Sequence, residues 1–343
     1  MDNIFIKSLP KLLFNRLIFA FFIQLSRATR IFYQSLSVHF VPGGIFLKIL
    51  ITGSKGQLGN ELTAILKNKA SEIGAISPKY ADCKVIAADV DMLDITNAEN
   101  VNSFLEKNRP DIVVNCAAMT NVDGCETNFE LAMKVNALGP LNLARACKKI
   151  NAKLVHISTD YVFAGNGKSP YREWDICAPD SIYGKSKLLG EQYVREQTDK
   201  YFIIRTAWLY GYVGKNFVKT ILNLAKEKSQ IKVVNDQIGN PTNANDLAHH
   251  ILKIALTDNY GIYHCTGAGE ASWFEFASLI VKYAQLDCQI VPCSTDEFPR
   301  EAKRPQYSSL DNLMLRCTVG DEMRPWQDAL FIYINKLKKE NIL

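Results

Sequence analysis

The chain has 343 residues, of which 48% are hydrophobic, so it is long enough to bury one large core or two moderate ones. Its formal charge is +5, but residues 1–47 hold five Lys or Arg and one acidic residue, which leaves 35 basic against 34 acidic residues in the rest. This neutral body argues against nucleic-acid binding, and nine scattered cysteines without a Cys-x-x-Cys pair argue against disulfides and zinc and indicate reduced cytosolic thiols.

Residues 1–47 form an atypical N-terminal extension. Their apolar run, 17–23, is far shorter than the roughly 20 residues of a membrane span, and no small-x-small cleavage site of a signal peptide follows it. Two interpretations stay open: an interfacial extension, or a leader translated from an incorrectly assigned start. Gly43-Gly44 is what a ribosome-binding tract read in frame would encode, which favours a native start at Leu47 or Lys48. We expect no membrane span.

An apolar strand and a glycine turn open the body of the chain. The run 49–51 suits a strand covered on both faces of a parallel sheet. Gly53, Gly56 and Gly59 follow it and lead into an amphipathic helix that ends near Leu66. Glycines at these positions let the chain turn tightly and let backbone N–H groups approach a pyrophosphate, although an ordinary structural turn is the alternative. The flanking strand and helix favour dinucleotide binding.

A second strand, 84–88, ends at Asp89. In dinucleotide-binding folds an acidic side chain at this position accepts hydrogen bonds from the adenosine ribose. Here it follows Gly59 by 30 residues instead of the usual roughly 20, which indicates a loop insertion. A solvated Asp at a strand end is the alternative. Further on, Thr96 or Asn97 is predicted to cap a helix.

Two further strands are predicted at 112–115 and 153–158. A helical pattern over 131–150, interrupted at Gly139-Pro140, lies between them. The small residues 116–120 after the third strand offer a place where a flat cofactor can lie close to the backbone. This alternation predicts an α/β fold, a Rossmann-like doubly wound parallel sheet with ligands at the carboxyl ends of its strands.

The second half alternates less regularly. We predict strands at 201–206, 231–234 and 261–265, helices at 216–228, 243–256 and 272–284, and then a tail rich in proline. We interpret it as a smaller C-terminal substrate-binding lobe without a clean linker. The predicted division is an extension at 1–47, a dinucleotide-binding domain at 48–206, and a region at 207–343 that is mostly substrate-binding lobe, interleaved with the sheet.

Three side chains near the carboxyl end of the fourth strand suggest catalysis. Tyr183 and Lys187 are four residues apart, which places them on one face of a helix. A neighbouring ammonium is expected to lower the pKa of the phenol from about 10. Thr159 can hold a carbonyl oxygen while Tyr183 protonates it and a nicotinamide delivers hydride. Tyr-x-x-x-Lys alone is common on helix surfaces, but the glycine turn and Ser158-Thr159 favour a catalytic site.

The order and spacing of six segments resemble the extended short-chain dehydrogenase/reductase superfamily and, within it, the dTDP-4-dehydrorhamnose reductase family. The segments are 51–59, 114–123, 158–163, 183–187, 205–211 and 235–242. The resemblance extends from Lys48 to about Lys339. It implies that the 4-keto group of dTDP-4-dehydro-6-deoxy-L-mannose is reduced to give dTDP-L-rhamnose, with NADPH or NADH as donor and a tyrosine as general acid. It further implies a cytoplasmic enzyme of cell-surface polysaccharide precursor synthesis that binds a nucleotide sugar and forms a homodimer.

Carried over residue by residue, the resemblance implies that Thr159, Tyr183 and Lys187 form the catalytic set. Contacts to the cofactor are implied for Gly53, Gly56, Gln57, Leu58, Gly59, Asp89, Asp94, Ile95, Ala118, Met119, Thr120, Tyr183 and Lys187. The sugar would contact Thr159 and Asp160, and Trp208 would stack on the deoxyhexose. A core aromatic beside a strand end is the alternative for Trp208.

The chain departs from the family pattern at one position. Some relatives join protomers through a magnesium ion held by glutamates; Glu61 matches one such position, but Lys336 stands where another glutamate is expected. We therefore expect no metal site. Glu61 would be a metal ligand only if a bridging Mg²⁺ were present. Asp89 and Asp91, with no Arg close behind the second strand, favour NADH on physical grounds, whereas relatives accept NADPH or both.

Two alternative functions stay open. One is a nucleotide-sugar dehydratase or epimerase of the same superfamily, although a dehydratase typically has Asp-Glu after the threonine and this chain has Asp160-Tyr161. The other is a non-catalytic NAD(P)-binding regulatory subunit.

Overall fold

The computed structural model describes residues 46–340, so most of the predicted N-terminal extension lies outside the described residues. The main sheet has six parallel strands in the spatial order β2-β1-β3-β4-β5-β6. They are β1 (Lys48–Thr52), β2 (Lys84–Ala88), β3 (Ile112–Asn115), β4 (Lys153–Thr159), β5 (Tyr201–Thr206) and β6 (Gly261–His264). The strand order reverses between β1 and β3, and this opens a crevice at their carboxyl ends.

Helices cover both faces of this sheet. Those of eleven residues or more are α1 (Gln57–Asn68), α2 (Ala98–Asn108), α3 (Gly139–Ile150), α4 (Ile182–Gln197), α5 (Phe217–Glu227), α6 (Ala244–Ala255), α7 (Trp273–Ala284) and α8 (Trp326–Lys339). Ile49 and Ile51 of β1 point into a core with α1 and α6, and Leu50 points into the opposite core with α2 and α3. The continuous apolar run of β1 is thus explained by burial on both faces, and the predicted doubly wound α/β sheet is confirmed.

The second half of the chain builds a smaller core and also completes the main sheet. Val218 and Leu222 of α5 pack there with Phe276 of α7 and Leu330 of α8. A parallel pair of strands, Gln230–Val234 and Gln289–Cys293, borders this core. Because β6 and α6 belong to the main sheet and its layers, the second half is shared between the two cores.

Short elements connect these layers. The strand pairs are Ala70–Ser71 with Gly74–Ala75, Leu209–Tyr210 with Thr242–Asn243, and Ile238–Gly239 with Ala271–Ser272. The short helices are Pro78–Tyr80, Val122–Thr127, Phe129–Met133, Asp160–Val162, Thr295–Glu297 and Leu313–Thr318, with a π-helix at Lys134–Leu138. No helix of the described residues is long and apolar enough to cross a membrane.

Three regions differ from or refine the sequence predictions. The extra residues before Asp89 form the hairpin Ala70–Ala75 and a 3₁₀ turn, which accounts for the predicted insertion. The proline-rich tail is not irregular throughout, because it ends in α8 directly after Pro325. The helix cap predicted at Thr96 or Asn97 lies at Asn97, whose side chain accepts the N–H of Asn100 at 3.0 Å.

Candidate active site

The glycine turn after β1 presents free backbone N–H groups. Gly53 has φ +63°, and a Cβ there would lie 2.7 Å from Ala117 N, so the turn packs directly on the segment after β3. A Cβ on Gly59 would lie 2.3 Å from the carbonyl oxygen of Gly53. The first intrahelical bond of α1 runs from Asn60 N to Gly56 O, at 3.0 Å. The N–H groups of 57–59 therefore lack an intrahelical acceptor.

This helix start suits an anion. Gly56 caps α1 without any side-chain hydrogen bond, and the first turn holds no acidic residue. The N–H groups and the positive end of the helix dipole then face outward, an arrangement that favours a phosphate. The side chain of Leu58 is buried in the core, and Gln57 Oε1 accepts Asn216 Nδ2 at 3.1 Å. Residues 57 and 58 can therefore contact a pyrophosphate through their backbone N–H groups but not through their side chains.

Asp89 lies at the end of β2, beside this turn. Its Oδ2 accepts the N–H of Lys55 at 3.0 Å and its Oδ1 accepts the N–H of Val90 at 2.9 Å. Lys55, which sequence reasoning missed, also pairs with Asp91 at 3.0 Å on the surface. Both signs of charge therefore meet where the adenosine ribose is predicted, and the expected preference for NADH stays a prediction.

The residues predicted near the adenine lie in a turn under α3. Asp94 Oδ1 accepts both the N–H and the hydroxyl of Thr96, at 2.9 and 2.7 Å. Ile95 is buried, with its side chain close to Gly139, and its carbonyl accepts Asn142 Nδ2 at 3.0 Å. The two residues are thus held in fixed positions, and their contact with adenine stays a prediction.

Asn136, which sequence reasoning missed, fixes the segment 118–120. Its Oδ1 accepts Met119 N at 2.8 Å and its Nδ2 donates to Met119 O at 3.0 Å, while the same amide reaches Ser186 Oγ of α4 at 3.1 Å. Asn136 is fully buried in the π-helix, whose wide turn is rare and often marks a functional site. The backbone of Met119 is thus tied through Asn136 to the helix that carries Tyr183.

The structure brings the three predicted catalytic residues to one end of β4 and α4. Thr159 is the last residue of β4, and its hydroxyl donates to Asp160 Oδ1 at 2.9 Å. Tyr183 lies in the first turn of α4, half-buried, with its ring edge-to-face against Tyr161 at 5.4 Å. Lys187 lies one turn further, 2% exposed, and its Nζ donates to Ile157 O at 2.6 Å.

The charges at this site differ from the sequence expectation. Burial raises the pKa of Tyr183, and a hydrogen bond with Thr159 acts against this rise. Burial also lowers the pKa of Lys187 to about 8. The predicted net lowering of the phenol pKa is therefore wrong for this structure, because burial disfavours the phenolate. The raised pKa keeps Tyr183 protonated at neutral pH, whereas a general acid donates most easily when its pKa lies near the working pH.

A buried ion pair lies beneath the site. Glu191, one turn after Lys187, accepts Arg205 Nε at 2.9 Å and Arg205 Nη2 at 2.7 Å, and both residues are 2% exposed. The hydroxyl of Ser158 donates to the same carboxylate at 2.5 Å. Sequence reasoning missed this pair, although the spacing of Tyr183, Lys187 and Glu191 by four residues is a signal for one polar helix face.

Asp160 and Trp208, the predicted sugar contacts, differ in solvent exposure: Asp160 is buried and Trp208 is half-buried. Asp160 is 2% exposed, and its Oδ2 has no hydrogen-bond partner among the described residues. Burial raises the pKa of this carboxyl to about 6. Trp208 has φ +46° and stacks on Trp273 with 3.5 Å between ring centroids, so one face of its indole is covered. Both interpretations of Trp208 thus stay open.

A cavity of about 370 Å³ begins at Tyr161 and extends into the smaller core. Its aromatic lining includes Phe217 and Trp273, and its basic lining comprises Lys232, Arg300 and Arg304. Arg304 also pairs with Asp123 at 2.8 Å. Aromatic faces beside cationic side chains suit a base and a diphosphate. Sequence reasoning missed this cavity because its lining comes from five separate segments.

Glu61, the predicted metal ligand, is 5% exposed and its Oε2 accepts Asn245 Nδ2 at 2.9 Å. Within the part of the chain that the structure describes, no three His, Cys, Asp or Glu side chains are grouped as a metal site requires. The residues around Glu61 therefore do not fit a bound magnesium ion.

Known proteins resemble this chain over most of its length. The family model of the RmlD substrate binding domain matches residues 47–339. The spore coat polysaccharide biosynthesis protein SpsK of Bacillus subtilis is 41% identical over 289 residues, which cover 84% of this chain and 97% of SpsK. A solved dTDP-4-dehydrorhamnose reductase of Clostridium acetobutylicum is 49% identical, with TM-score 0.81, over 85% of this chain and 100% of that one. The same enzyme of Bacillus anthracis, solved in complex with NADP, is 43% identical with TM-score 0.79 over the same shares.

Proposed function

Because the chain belongs to the family of the RmlD substrate binding domain, we propose that it is a dTDP-4-dehydrorhamnose reductase. It reduces the 4-keto group of dTDP-4-dehydro-6-deoxy-L-mannose and gives dTDP-L-rhamnose, a precursor of cell-surface polysaccharides. The observation that carries this proposal is the convergence of Thr159, Tyr183 and Lys187 at the carboxyl end of β4, at the same edge of the sheet as the uncapped start of α1.

The residues of the site divide the proton chemistry among them. Bound NAD(P)H supplies the hydride. The Thr159 hydroxyl orients the keto oxygen, and Tyr183 donates its phenolic proton to that oxygen as the alcohol forms. The Lys187 ammonium, held by Ile157 O at 2.6 Å, stabilises the phenolate that Tyr183 becomes. Solvent then returns a proton to Tyr183.

The cofactor is proposed to lie across the β1–β3 crevice. The backbone N–H groups of 57–59 hold the pyrophosphate, and Gly53, Gly56 and Gly59 let it approach. Asp89 faces the adenosine ribose, Asp94 and Ile95 flank the adenine, and 118–120 back the nicotinamide. Because Lys55 lies beside Asp89 and Asp91, either NADH or NADPH is accommodated. The Bacillus anthracis relative was solved with NADP.

The nucleotide sugar is proposed to bind between Asp160 and the 370 Å³ cavity. The Oδ2 of Asp160, which has no hydrogen-bond partner among the described residues, accepts a sugar hydroxyl, and the indole of Trp208 packs on the deoxyhexose. Arg300 and Arg304 pair with the diphosphate. The thymine then lies against Phe217 or Trp273.

A coupled assay tests the reaction. The purified chain is supplied with dTDP-4-dehydro-6-deoxy-L-mannose and NADH or NADPH, and cofactor oxidation is followed by absorbance while the product is identified as dTDP-L-rhamnose by chromatography. Lack of oxidation of either cofactor would overturn the reductase assignment. Cofactor binding without turnover would favour the regulatory subunit, and turnover of a 4,6-dehydratase or epimerase substrate alone would favour that alternative.

We also propose a cytoplasmic location and assembly as a homodimer. A reductase that consumes NAD(P)H needs access to the reduced cofactor pool, and the nine cysteines of this chain suit a reducing compartment. Cell fractionation tests the location. Light scattering coupled to size exclusion measures the mass of the assembly, and a monomeric mass would overturn the dimer.

A further inference from the structure

A charged cluster surrounds Glu61 on the side of α1 that faces α6. It consists of the carboxylates of Glu61, Glu72 and Asp246 and the cations of Arg324 and Lys336. Glu72 comes from the turn of the hairpin Ala70–Ala75, the insertion that the sequence indicated before Asp89. We call this set the acidic cluster.

Protein donors occupy the carboxylates of the acidic cluster. Arg324 Nη2 lies 2.9 Å from Glu72 Oε2 and 2.5 Å from Asp246 Oδ1, and its Nε lies 2.9 Å from Asp246 Oδ2. The hydroxyl of Tyr212 donates to Glu72 Oε1 at 2.6 Å. The Asn245 amide donates to Glu61 Oε2. Each of the three carboxylates thus already has at least one strong donor.

Lys336 supplies the second positive charge from α8. Its Nζ lies 3.4 Å from Glu72 Oε1 and 4.0 Å from the centroid of the Tyr212 ring, a cation–π contact. Burial raises the pKa of Glu61, and the Asn245 hydrogen bond and the Lys336 charge oppose that rise. The Lys336 charge therefore interacts favourably with two carboxylates, Glu61 of α1 and Glu72 of the hairpin.

A divalent cation would compete with these groups. Mg²⁺ requires oxygen ligands at about 2.0–2.1 Å with free lone pairs, whereas Lys336 contributes only donors and like charge. A glutamate at 336 would reverse this, because it would add a ligand and remove the competing ammonium. The cluster would then hold four carboxylates against the single cation of Arg324.

We propose that the Lys336 ammonium takes the place of a divalent cation in the acidic cluster, so that this chain is stabilised there without metal. The positive charge that a bound ion would supply is built into α8 by Lys336. Folding and thermal stability of this protein are then independent of Mg²⁺. A single substitution, Lys336→Glu, converts the cluster into a site that requires it.

Thermal unfolding of the full-length protein tests the proposal. The chain is stripped with EDTA, and its melting temperature is compared in EDTA and in millimolar Mg²⁺ at matched ionic strength. The wild type should melt at the same temperature in both. Lys336→Glu should melt lower in EDTA and rise by roughly 5 °C when Mg²⁺ is in hundredfold excess over its Kd. Lys339→Glu makes the same charge change at an exposed position of the same helix and should not respond.

Two results would overturn the proposal. One is a wild-type melting temperature that falls in EDTA and recovers with Mg²⁺. The other is a Lys336→Glu response no larger than that of Lys339→Glu. If Lys336→Glu does not fold in EDTA, its refolding yield with and without Mg²⁺ replaces the melt, and recovery only with Mg²⁺ supports the proposal. If it refolds in neither, Lys336→Gln decides: a melting temperature that rises with Mg²⁺ supports the proposal, and an unchanged one overturns it.

Discussion

Replacing Lys187 with Met is expected to abolish reduction and yet to leave the fold as stable or more stable at neutral pH. Lys187 is 2% exposed, and burial lowers the pKa of its ammonium from the usual 10.5 to about 8. Because the folded state binds the proton less tightly than the unfolded chain does, the protonated side chain opposes folding. This penalty is fully present below about pH 8 and disappears as the pH rises towards 10.5.

The magnitude follows from the lowered pKa. At roughly 1.4 kcal/mol per pH unit, a pKa of about 8 in place of 10.5 corresponds to a penalty of about 3 kcal/mol at pH 7. Met removes this penalty but leaves the carbonyl of Ile157 without its donor, which costs about 1–3 kcal/mol. The variant should therefore be about 0–2 kcal/mol more stable than the wild type at pH 7. From about pH 8 upward, the free energy of unfolding of the wild type should rise relative to that of Lys187→Met, by up to about 1.4 kcal/mol per pH unit.

Urea denaturation followed by tryptophan fluorescence measures this difference at neutral pH and at about pH 9.5. Lys185→Met, an exposed change on the same helix, is the control and should show no pH-dependent difference. A difference between Lys187→Met and the wild type that stays constant with pH, or that grows in favour of the variant, would refute the argument from desolvation. In the wild type, kcat/KM should fall above about pH 8 as Lys187 loses its proton.

Three further predictions concern neighbouring residues. Tyr183→Phe should lower kcat about 10²–10⁴-fold with little change in cofactor affinity, and near-normal turnover would contradict its role as general acid. Glu191→Gln leaves the Arg205 charge buried without its partner, so denaturation should show a loss of about 3–5 kcal/mol; a loss below about 1 kcal/mol would contradict the ion pair. Gly59→Ala places a Cβ 2.3 Å from Gly53 O, so fluorescence titration should show weakened NADPH binding; an unchanged Kd would contradict the tight turn.

Local patterns predicted the elements of the main sheet because its inner strands are buried on both faces and even the edge strand β2 is largely apolar. The apolar runs at 84–88, 112–115 and 201–206 coincide with β2, β3 and β5. Since side chains of a strand alternate between faces, a sheet covered twice needs apolar residues at successive positions. The three predicted catalytic residues also converge, because helical spacing and a strand end are local signals. α8 was not predicted because the prolines that precede it, up to Pro325, dominate the sequence signal of the tail.

The surroundings of the site could not be predicted, because they depend on contacts between distant residues. Asn136 holds Met119 and Ser186 from a π-helix for which the sequence carries no recognised signal. Arg205 pairs with Glu191 across two elements. The pKa of Tyr183 follows from burial, whereas helical spacing only indicates which side chains are neighbours. Spacing thus predicted which side chains are neighbours, and packing sets their pKa values.

The polar face of α4 explains why these charges are tolerated in the interior. Tyr183, Lys187 and Glu191 are each four residues apart, so they form a stripe along the face of α4 that packs on β4. An isolated Lys187 would be costly there, but the carboxylate of Glu191 favours its charged form, and Arg205 and Ser158 hold that carboxylate. Hydrogen bonds from Lys187 to Ile157 O and from Ser158 to Glu191 join α4 to β4, and this holds the helix that carries Tyr183 in place. A substitution that removes the buried charge of Lys187 also removes the ammonium that stabilises the phenolate. It therefore raises the stability of the fold and abolishes the reaction.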